Sequence, residues 1–358
     1  MLLKERRSWT TRPYEEGDEE QIIELFERVF GKPMGITESR KHWKWEYMEN
    51  PVEKIYVNLA VDDDRIVGQY AVIPVEMWIH GRRKIGSLSL DTMVHPDYRG
   101  QGMFTTLAEQ LYRELARDGV VLTYGFPNAN SIHGFTNRLE WKEIFKIPLF
   151  ARPIDFDRSA TMMFGDGVKG SLASFFSKKL YDLKYRPKSP SSGYTMEEIQ
   201  GFDSHSIFRP PEGISAVKSS EYLNWRFTEK PEFDYTKIGI WKKDILEGYA
   251  VVIGKRYGDH DIGFIVDMMT KDQKSDTAEL LLSRSIQEAE RSSCDILSYI
   301  APNNGRYSEM LKKLGFIGVD PKKFPQDIYF GVRENVTGLN CLFDPNKWTI
   351  SWADTDLV

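Results

Sequence analysis

The stretch from Ser89 to Leu115 constrains the fold more than any other part of the chain. It opens with an apolar strand that ends at Pro96, and a basic, glycine-rich turn follows. A helix with leucines at four-residue spacing, Leu107, Leu111 and Leu115, starts directly after the turn. Glycine lets backbone N–H groups approach an anion, and the first turn of a helix carries N–H groups without intrahelical partners. The stretch therefore predicts a phosphate-binding turn.

The turn sequence excludes two common phosphate-binding classes. A P-loop requires Lys followed by Ser or Thr after its glycines, and no such pair occurs here. A dinucleotide fingerprint requires a third glycine where this chain has Thr105. What remains is the pattern V-x-P-x-Y-R-G-x-G, which runs from Val94 to Gly102.

This pattern resembles the acetyl-CoA-binding motif of the GNAT superfamily of acyl-CoA N-acyltransferases, [QR]-x-x-G-x-[GA]. Arg99 and Gly102 match it, and Phe104 stands where the family has Gly or Ala. The resemblance implies acetyl-CoA as acyl donor and no metal. The residues that it assigns to the cofactor are Met93, Val94, Arg99, Gly100, Gln101, Gly102, Met103, Phe104 and Asn130.

The order of predicted elements extends the resemblance over about residues 10 to 150. Two helices come first, and an antiparallel meander follows, with one hairpin from Tyr56–Val61 and Ile66–Val75 and another from Met77–Ile79 and Lys84–Leu90. The central strand, helix and strand then complete the series. This is the order of elements in the GNAT fold.

The second half of the chain repeats the first. The segment from Trp45 to Pro51 returns as Trp225 to Pro231, and Asp91-Thr-Met returns as Asp267-Met-Met. Further matches link Gly68–Ile73 with Gly248–Ile253, Pro127-Asn128 with Pro302-Asn303, and Leu139–Trp141 with Leu314–Phe316. Matches in order at nearly one offset indicate two copies of one fold. We therefore predict an α+β fold of two tandem GNAT-like domains, each a mixed, mostly antiparallel sheet flanked by helices.

The predicted domains are a GNAT domain with the acyl-CoA motif over 1–150, a connector over 151–200, a degenerate second domain over 201–335 and a tail over 336–358. In the second copy the glycines of the turn are missing, and Asp272 and Asp276 stand there instead. Carboxylates repel a pyrophosphate, so one acyl-CoA per chain is expected. The connector carries a basic segment at 171–188 that either contacts a membrane or nucleic acid or packs on a domain, and we favour packing.

Composition narrows the class of protein. The net charge is −5 with both signs mixed along the chain, which argues against a nucleic-acid partner. Only Cys294 and Cys341 are present, which favours a reducing compartment, and no apolar run reaches the length of a membrane span. The N-terminus lacks the apolar core of a signal peptide, and no histidine has metal-ligand spacing. We predict a cytoplasmic protein without membrane or metal, for which an oligomer is possible.

Direct acyl transfer needs a base for the amine, donors for the oxyanion and an acid for the thiolate. Asp91 is the preferred base because it lies on the strand that would flank the thioester. The family commonly uses a Tyr acid at a position that is Thr136 here, so His133, Tyr124 and Asn130 are candidate substitutes.

Tandem GNAT architecture also occurs in N-myristoyltransferases, in Fem-type aminoacyl transferases and in the enhanced-intracellular-survival aminoglycoside acetyltransferases. The last of these use a terminal carboxylate as base, which makes Val358 a further candidate. The leading functional hypothesis is N-acetylation of a small primary amine, such as an amino sugar, an aminoglycoside-like molecule or a polyamine. Alternatives are transfer of a longer acyl or aminoacyl group, and a non-catalytic acyl-CoA-binding protein.

Overall fold

The computed structural model describes residues 8–31, 40–159, 171–188, 193–203, 208, 213–271, 275–301, 307–319 and 328–358. The chain divides into two compact units. The first contains Met1–Phe145, Glu229–Glu232 and Ile328–Lys347, and the second contains Lys146–Thr228, Phe233–Asp327 and Trp348–Val358. Each unit holds one mixed sheet flanked by helices, which confirms the predicted fold class.

The sheet of the first unit has the strand order β1-β2-β3-β4-β5-β15-β6. Its strands are β1 (Thr10–Pro13), β2 (Tyr56–Asp62), β3 (Arg65–Ile79), β4 (Arg82–Val94), β5 (Val120–Gly125), β6 (Lys142–Lys146) and β15 (Tyr329–Glu334). Its helices are α1 (Glu19–Phe30), α2 (Arg40–Tyr47), α3 (Met103–Arg117) and α4 (Ile132–Arg138). Strands β4 and β5 are parallel, and β4 pairs antiparallel with β3.

The meander differs from the sequence prediction in one respect. Ile66–Val75 and Met77–Ile79 are parts of one strand, β3, because Glu76 pairs with Ile85 and keeps the ladder continuous. One long hairpin around His80 and Gly81 therefore replaces the second predicted hairpin. Strand β4 runs on to Val94 and so carries the start of the motif.

Helix α3 packs the predicted leucine face against the sheet. Leu107, Leu111 and Leu115 are fully buried in a core cluster that includes Val72 and Trp141. Burial of a leucine side chain contributes about 1.5–3 kcal/mol. This packing fixes the start of α3, and therefore the glycine turn before it, relative to β4.

The sheet of the second unit has the strand order β8-β10-β11-β12-β13-β7-β14. Its strands are β7 (Leu149–Pro153), β8 (Thr195–Glu198), β10 (Thr236–Lys242), β11 (Ile245–Tyr257), β12 (His260–Thr270), β13 (Ile296–Ile300) and β14 (Ile317–Val319), and the unit also contains the short strand β9 (Ile214–Ala216). Its helices are α5 (Ser171–Lys184), α6 (Ser220–Phe227), α7 (Ser275–Arg291) and α8 (Ser308–Lys313).

In each sheet, the strand that pairs antiparallel with the second strand of the parallel pair comes from a distant part of the sequence. Strand β15, from the far end of the chain, pairs antiparallel with β5, and Gly331 lies opposite Gly125. In the second sheet the equivalent place beside β13 is taken by β7, which follows β6 along the chain. Neither unit is therefore one continuous segment.

Helix α5 carries the basic segment singled out in the sequence. Leu180 and Leu183 are 67% and 74% exposed, so the leucines do not make its described packing contact. Tyr181 makes that contact, since its hydroxyl donates to the Gly315 carbonyl and its ring lies 5.0 Å from the Arg152 guanidinium carbon.

Candidate functional site

Strands β4 and β5 separate where β4 reaches the motif. Their last paired residues are Ser89 and Gly125. Beyond them β4 continues to Val94, where its pairing is with β3 and Val94 lies opposite Gly68. The backbone groups of β4 that point toward the β5 side are therefore left available past Ser89. We call the region beyond this last pair, between the rest of β4 and the chain that follows β5, the cleft, and the glycine turn lies at the end of β4.

A β-bulge lies in β4 beside this opening. Gln69 pairs with Met93 whereas Ala71 pairs with Leu90, so β4 has one extra residue at this point. Asp91 lies in the extra length and has φ 44°, a left-handed conformation that is uncommon for aspartate. Bulges redirect a side chain out of the regular alternation. The Tyr47 hydroxyl donates to Asp91 Oδ2 at 2.9 Å and fixes the carboxylate.

Gln69 is a polar residue of this site that sequence reasoning missed. Its Nε2 donates to the Asp91 carbonyl oxygen at 3.1 Å, and its Oε1 is buried without a hydrogen-bond partner in the described part of the chain. A carbonyl oxygen only accepts, so this contact fixes the orientation of the amide. Oε1 is thus an acceptor that needs a donor. A glutamine inside an apolar strand was the available signal.

The motif tyrosine anchors the turn. Tyr98 is 3% exposed, and its hydroxyl donates to Asp62 Oδ2. His95 precedes it as the cap of a 3₁₀ turn over Pro96–Tyr98, and His95 Nδ1 accepts from the Asp97 N–H at 3.2 Å. These contacts hold the chain as it leaves β4.

The two motif glycines present their backbone to open space. Gly100 and Gly102 have φ 82° and 81°, which glycine adopts without strain. A Cβ at either position would meet nothing within 4 Å. Gly102 caps helix α3, so the free N–H groups and the positive end of the helix dipole face this space. Arg99 is exposed beside it and adds positive charge.

Phe104 departs from the family pattern for a packing reason. Its ring lies 5.2 Å from Phe135 in an edge contact and 6.2 Å from Tyr70. A Cβ on Gly134 would lie 3.3 Å from Phe104, so the ring occupies the space that this glycine leaves on α4. Phe104 therefore fills the interface between α3 and α4. Met103 is 1% exposed and packs in the core, so its side chain is unavailable to a ligand.

The other predicted site residues lie in different surroundings. Tyr124 is 2% exposed in an aromatic cluster with Phe126 and Phe330. Asn130 and His133 are exposed around the start of α4, and the Asn130 N–H donates to the side chain of Asn128. Met93 is buried, so it can offer a ligand only its backbone. Gln101 contributes a buried Oε1 without a partner among the described atoms.

Val358 lies in the second unit. Its main-chain oxygen accepts a hydrogen bond from Arg226 Nη2 at 2.7 Å and another from the Tyr235 hydroxyl at 3.4 Å. Val358 itself is 1% exposed. The structure therefore brings Asp91, Met93 and Val94 together with the turn on one continuous strand, turn and helix, and Val358 is buried within the second unit.

The counterpart of Asp91 in the second unit is part of a buried ion cluster. Asp267 Oδ2 accepts from the Tyr249 hydroxyl at 2.7 Å and lies 3.3 Å from Lys218 Nζ. Lys218 also contacts Asp354 at 3.1 Å. Burial alone would lower the pKa of Lys218, but the carboxylates of Asp267 and Asp354 raise it above the ordinary value. The Asp267 carboxylate is therefore held in a buried ion pair with Lys218.

The opening between the two parallel strands of the second unit is lined by the end of the chain. Pairing of β12 with β13 ends at Phe264 and Ser298, while β12 continues to Thr270. The remaining cavity has a volume of about 70 Å³ and is lined by both strand ends and by residues 348–351. Trp352 packs edge-on against Phe264 at 5.4 Å. A cavity of this size holds a few water molecules.

Two sequence-based predictions for the second copy fall partly outside the described residues. Asp272, Pro302 and Asn303 lie outside them. Asp276 is described and lies in the first turn of α7. Its negative charge there would occupy the position that an anionic ligand uses at a helix N-terminus.

Two absences concern only the part of the chain that the structure describes. No group of three or more His, Cys, Asp or Glu side chains in it is arranged to hold a metal ion. No helix in the same residues is both long enough and apolar enough to cross a membrane.

Comparison with known proteins agrees with this geometry. Residues 10–144 match the family model of the acetyltransferase (GNAT) domain. No curated protein sequence matches the chain significantly. Among solved structures, the chain is similar to a GCN5-related N-acetyltransferase from Anabaena variabilis, with 13% identity, a TM-score of 0.62, and coverage of 92% of this chain and 73% of that one.

Two further structures share the fold. A conserved Enterococcus faecalis protein described as a probable N-acyltransferase has a TM-score of 0.64 and 11% identity, over 93% of this chain and 74% of that one. Saccharomyces cerevisiae N-myristoyltransferase with bound myristoyl-CoA has a TM-score of 0.59 and 11% identity, over 93% of this chain and 80% of that one. Residues 10–144 therefore form an acetyltransferase (GNAT) domain, and the second unit has the same kind of fold.

Proposed function

We propose that the first unit transfers an acetyl group from acetyl-CoA to a primary amine of a small molecule by direct attack. One observation carries the proposal. The cleft between β4 and β5 has the Asp91 bulge beside it and the open glycine turn at its end. The base candidate Asp91 precedes the anion-binding turn, Arg99 to Gly102, by 8 to 11 residues on one chain segment, so both would face one bound acyl-CoA.

The turn supplies the binding energy for the donor. The pyrophosphate would lie against the N–H groups that follow Gly100 and Gly102, with Arg99 as a counter-charge. The pantetheine arm carries amide groups, and the backbone of Val94, which points to the β5 side because His95 N–H bonds Val67 on the β3 side, offers hydrogen-bond partners for them. The thioester would then lie near the bulge.

The bulge supplies the chemistry for the acceptor. A primary amine is protonated at neutral pH and must lose a proton before it attacks, which the Asp91 carboxylate accepts. Tyr47 holds that carboxylate in place. Gln69 supports the backbone of the bulge, because its Nε2 donates to the Asp91 carbonyl oxygen at 3.1 Å.

Transfer of a longer acyl group is the second candidate. The observation that favours it is the shared fold with a yeast N-myristoyltransferase that has myristoyl-CoA bound. Acyl chains of different length leave the pyrophosphate contacts unchanged, so the turn does not discriminate between them. Comparison of acetyl-, octanoyl- and myristoyl-CoA as donors separates the two candidates.

The test is release of free thiol from acetyl-CoA by the full chain, measured against a panel of amino sugars, aminoglycosides and polyamines. The expected result is thiol release that requires one class of amine and yields the N-acetylated product by mass spectrometry. Release only with the longer donors would replace acetyl by a longer acyl group. Absence of thiol release with every donor and amine would overturn the proposed activity.

A further inference from the structure

A chain of polar groups runs through the core of the first unit to the point where β4 and β5 separate. Trp141 Nε1 donates to the Tyr112 hydroxyl at 2.8 Å, and the Tyr112 and Tyr70 hydroxyls are 2.6 Å apart. The Ser89 hydroxyl donates to the Tyr70 hydroxyl at 3.0 Å. Three contacts thus link four groups, each of which carries one donor proton.

Four donor protons for three contacts leave one proton without a partner, and this hydrogen-bonded series of side chains can donate it outward only at the Ser89 end. Indole N–H is a donor and never an acceptor, so Trp141 must donate to Tyr112, and Tyr112 is left to donate to Tyr70. The surplus proton therefore lies on Tyr70 or on Ser89. Hydroxyl protons rotate to suit their surroundings, so a new acceptor beside Ser89 would turn the last contact around, with Tyr70 donating to Ser89 and Ser89 donating outward.

The outward end lies at the cleft. Ser89 is the last residue of β4 that pairs with β5, opposite Gly125. Tyr70 and Tyr112 are 0% and 3% exposed, whereas Ser89 is only partly buried. The thioester sulfur would lie close to this point if the pantetheine arm follows β4 between Ser89 and the turn.

The inner end of the chain is held by strand β15. The Arg333 guanidinium lies 4.3 Å from the centre of the Tyr112 ring. Burial raises the pKa of Tyr70 to about 12, so the phenol remains a donor at every working pH. The chain is thus fixed at one end by packing and open to an acceptor at the other.

We propose that Ser89 donates a hydrogen bond to the sulfur of the departing CoA thiolate, in the place of the tyrosine acid that Thr136 replaces. This inference rests on the proposed acyl transfer. The neutral amine nitrogen, already deprotonated by Asp91, forms a bond to the acyl carbon and gives its extra proton to solvent, the carbon–sulfur bond breaks, and its electron pair leaves on sulfur. Ser89 stabilises that charge as it develops, and the proton that the amine gives to Asp91 returns to the thiolate through solvent.

The relative acidities decide that Ser89 donates a hydrogen bond and does not give up its proton. An ordinary thiol has a pKa of about 8.5, whereas Tyr70 behind the serine has a pKa of about 12. Complete transfer from the chain to the thiolate would therefore be uphill by several pKa units. A hydrogen bond that strengthens with the charge on sulfur needs no such transfer, and loss of one donor of this kind costs a large factor in rate.

The experiment compares Ser89→Ala with Ser87→Ala, using acetyl-CoA and the best amine of the panel. Ser87 is a matched control, because it lies two residues earlier on β4 and its hydroxyl bonds to Thr123 at 2.9 Å, away from the Tyr70 chain. We expect Ser89→Ala to lower kcat by about tenfold or more with acetyl-CoA affinity unchanged by calorimetry. Ser87→Ala should keep kcat, and Ser89→Thr, which retains a hydroxyl, should restore it.

A double-mutant cycle separates catalysis from packing. Tyr70 acts through Ser89, so Tyr70→Phe should lower kcat in the wild type and have little further effect in Ser89→Ala. Equal kcat for Ser89→Ala and Ser87→Ala would overturn the role of Ser89, as would a Tyr70→Phe effect of the same size in both backgrounds. If the wild type shows no turnover with any amine, the proposed acyl transfer fails and the role of Ser89 fails with it.

Discussion

Gly125 and Gly331 lie directly opposite each other in the register of β5 and β15, and Trp141 packs against both. A Cβ at Gly331 would lie 3.0 Å from the indole Cε3, and one at Gly125 would lie 3.2 Å from Cη2. Because neither glycine has a side chain, the pair leaves the space that the Trp141 indole occupies, and this indole donates to Tyr112. The first unit is therefore completed by a strand from the far end of the chain.

Gly331→Val should lower the free energy of unfolding by about 1–3 kcal/mol, because the new side chain must displace Trp141 from a close-packed core. Urea unfolding followed by tryptophan fluorescence measures the change. Gly318→Val is the matched control, since a Cβ there meets nothing within 4 Å. Equal stability of the two variants would show that the absence of a side chain at Gly331 has no packing role.

A fragment of residues 1–155 should not fold. It lacks β15 and so leaves β5 as an unpaired edge with Trp141 uncovered on one side. Circular dichroism and gel filtration of this fragment check the expectation. A compact fragment that binds acetyl-CoA like the whole chain would show that the exchanged strand is dispensable.

Much of the first unit was predictable because its signals are local. The leucine spacing after Gly102 and the hairpin at residues 62–65 depend only on neighbouring residues, and the structure has both elements where they were expected. The motif likewise predicted the open turn at Gly100 and Gly102.

The remaining features depend on partners distant in sequence. Nothing near Gly331 indicates that its strand pairs with β5, because the match is made about 200 residues away. The role of Gln69 depends on a bulge that only the register of β3 with β4 reveals. The tail from Trp348 lacks any periodicity, and its position at the second cleft follows from tertiary contacts, such as the packing of Trp352 on Phe264 and the ion pair of Asp354 with Lys218. Val358 was a candidate through resemblance, and its contacts with Arg226 and Tyr235 are tertiary.

Asp91→Asn should lower turnover about 10²-fold at neutral pH while acetyl-CoA affinity is kept, because the amide cannot accept the amine proton. Tyr47→Phe is an informative companion, since it keeps the carboxylate but removes the 2.9 Å hydrogen bond that positions it. We expect a smaller loss, about three- to tenfold. Steady-state kinetics with acetyl-CoA and the best amine of the panel measure both, and near-normal turnover of Asp91→Asn would remove Asp91 as the base.

Stability should fall at alkaline pH because of the buried phenols. Burial raises the pKa of Tyr70 to about 12, whereas an unfolded tyrosine titrates near 10. Between these values the unfolded chain loses the proton and the folded chain keeps it, so the stabilisation is complete below about pH 10 and is lost as the pH rises to about 12. The urea midpoint should fall less between pH 9 and 11 in Tyr70→Phe than in the wild type. An equal fall would contradict the raised pKa.

The measurement that tests the central claim most directly is a calorimetric titration of the full chain with acetyl-CoA. We predict one site per chain, because the first unit has an open glycine turn, the corresponding sequence at 270–276 contains no glycine, and the cleft of the second unit is lined by residues 348–351 around a cavity of about 70 Å³. Gly102→Val should weaken binding tenfold or more, about 1.4 kcal/mol. Gly119→Val is the control, because Gly119 has nearly the same φ at the other end of α3 and should leave affinity unchanged. Two equivalent sites, or undiminished affinity in a folded Gly102→Val variant, would contradict the assignment of the acyl-CoA site to this turn.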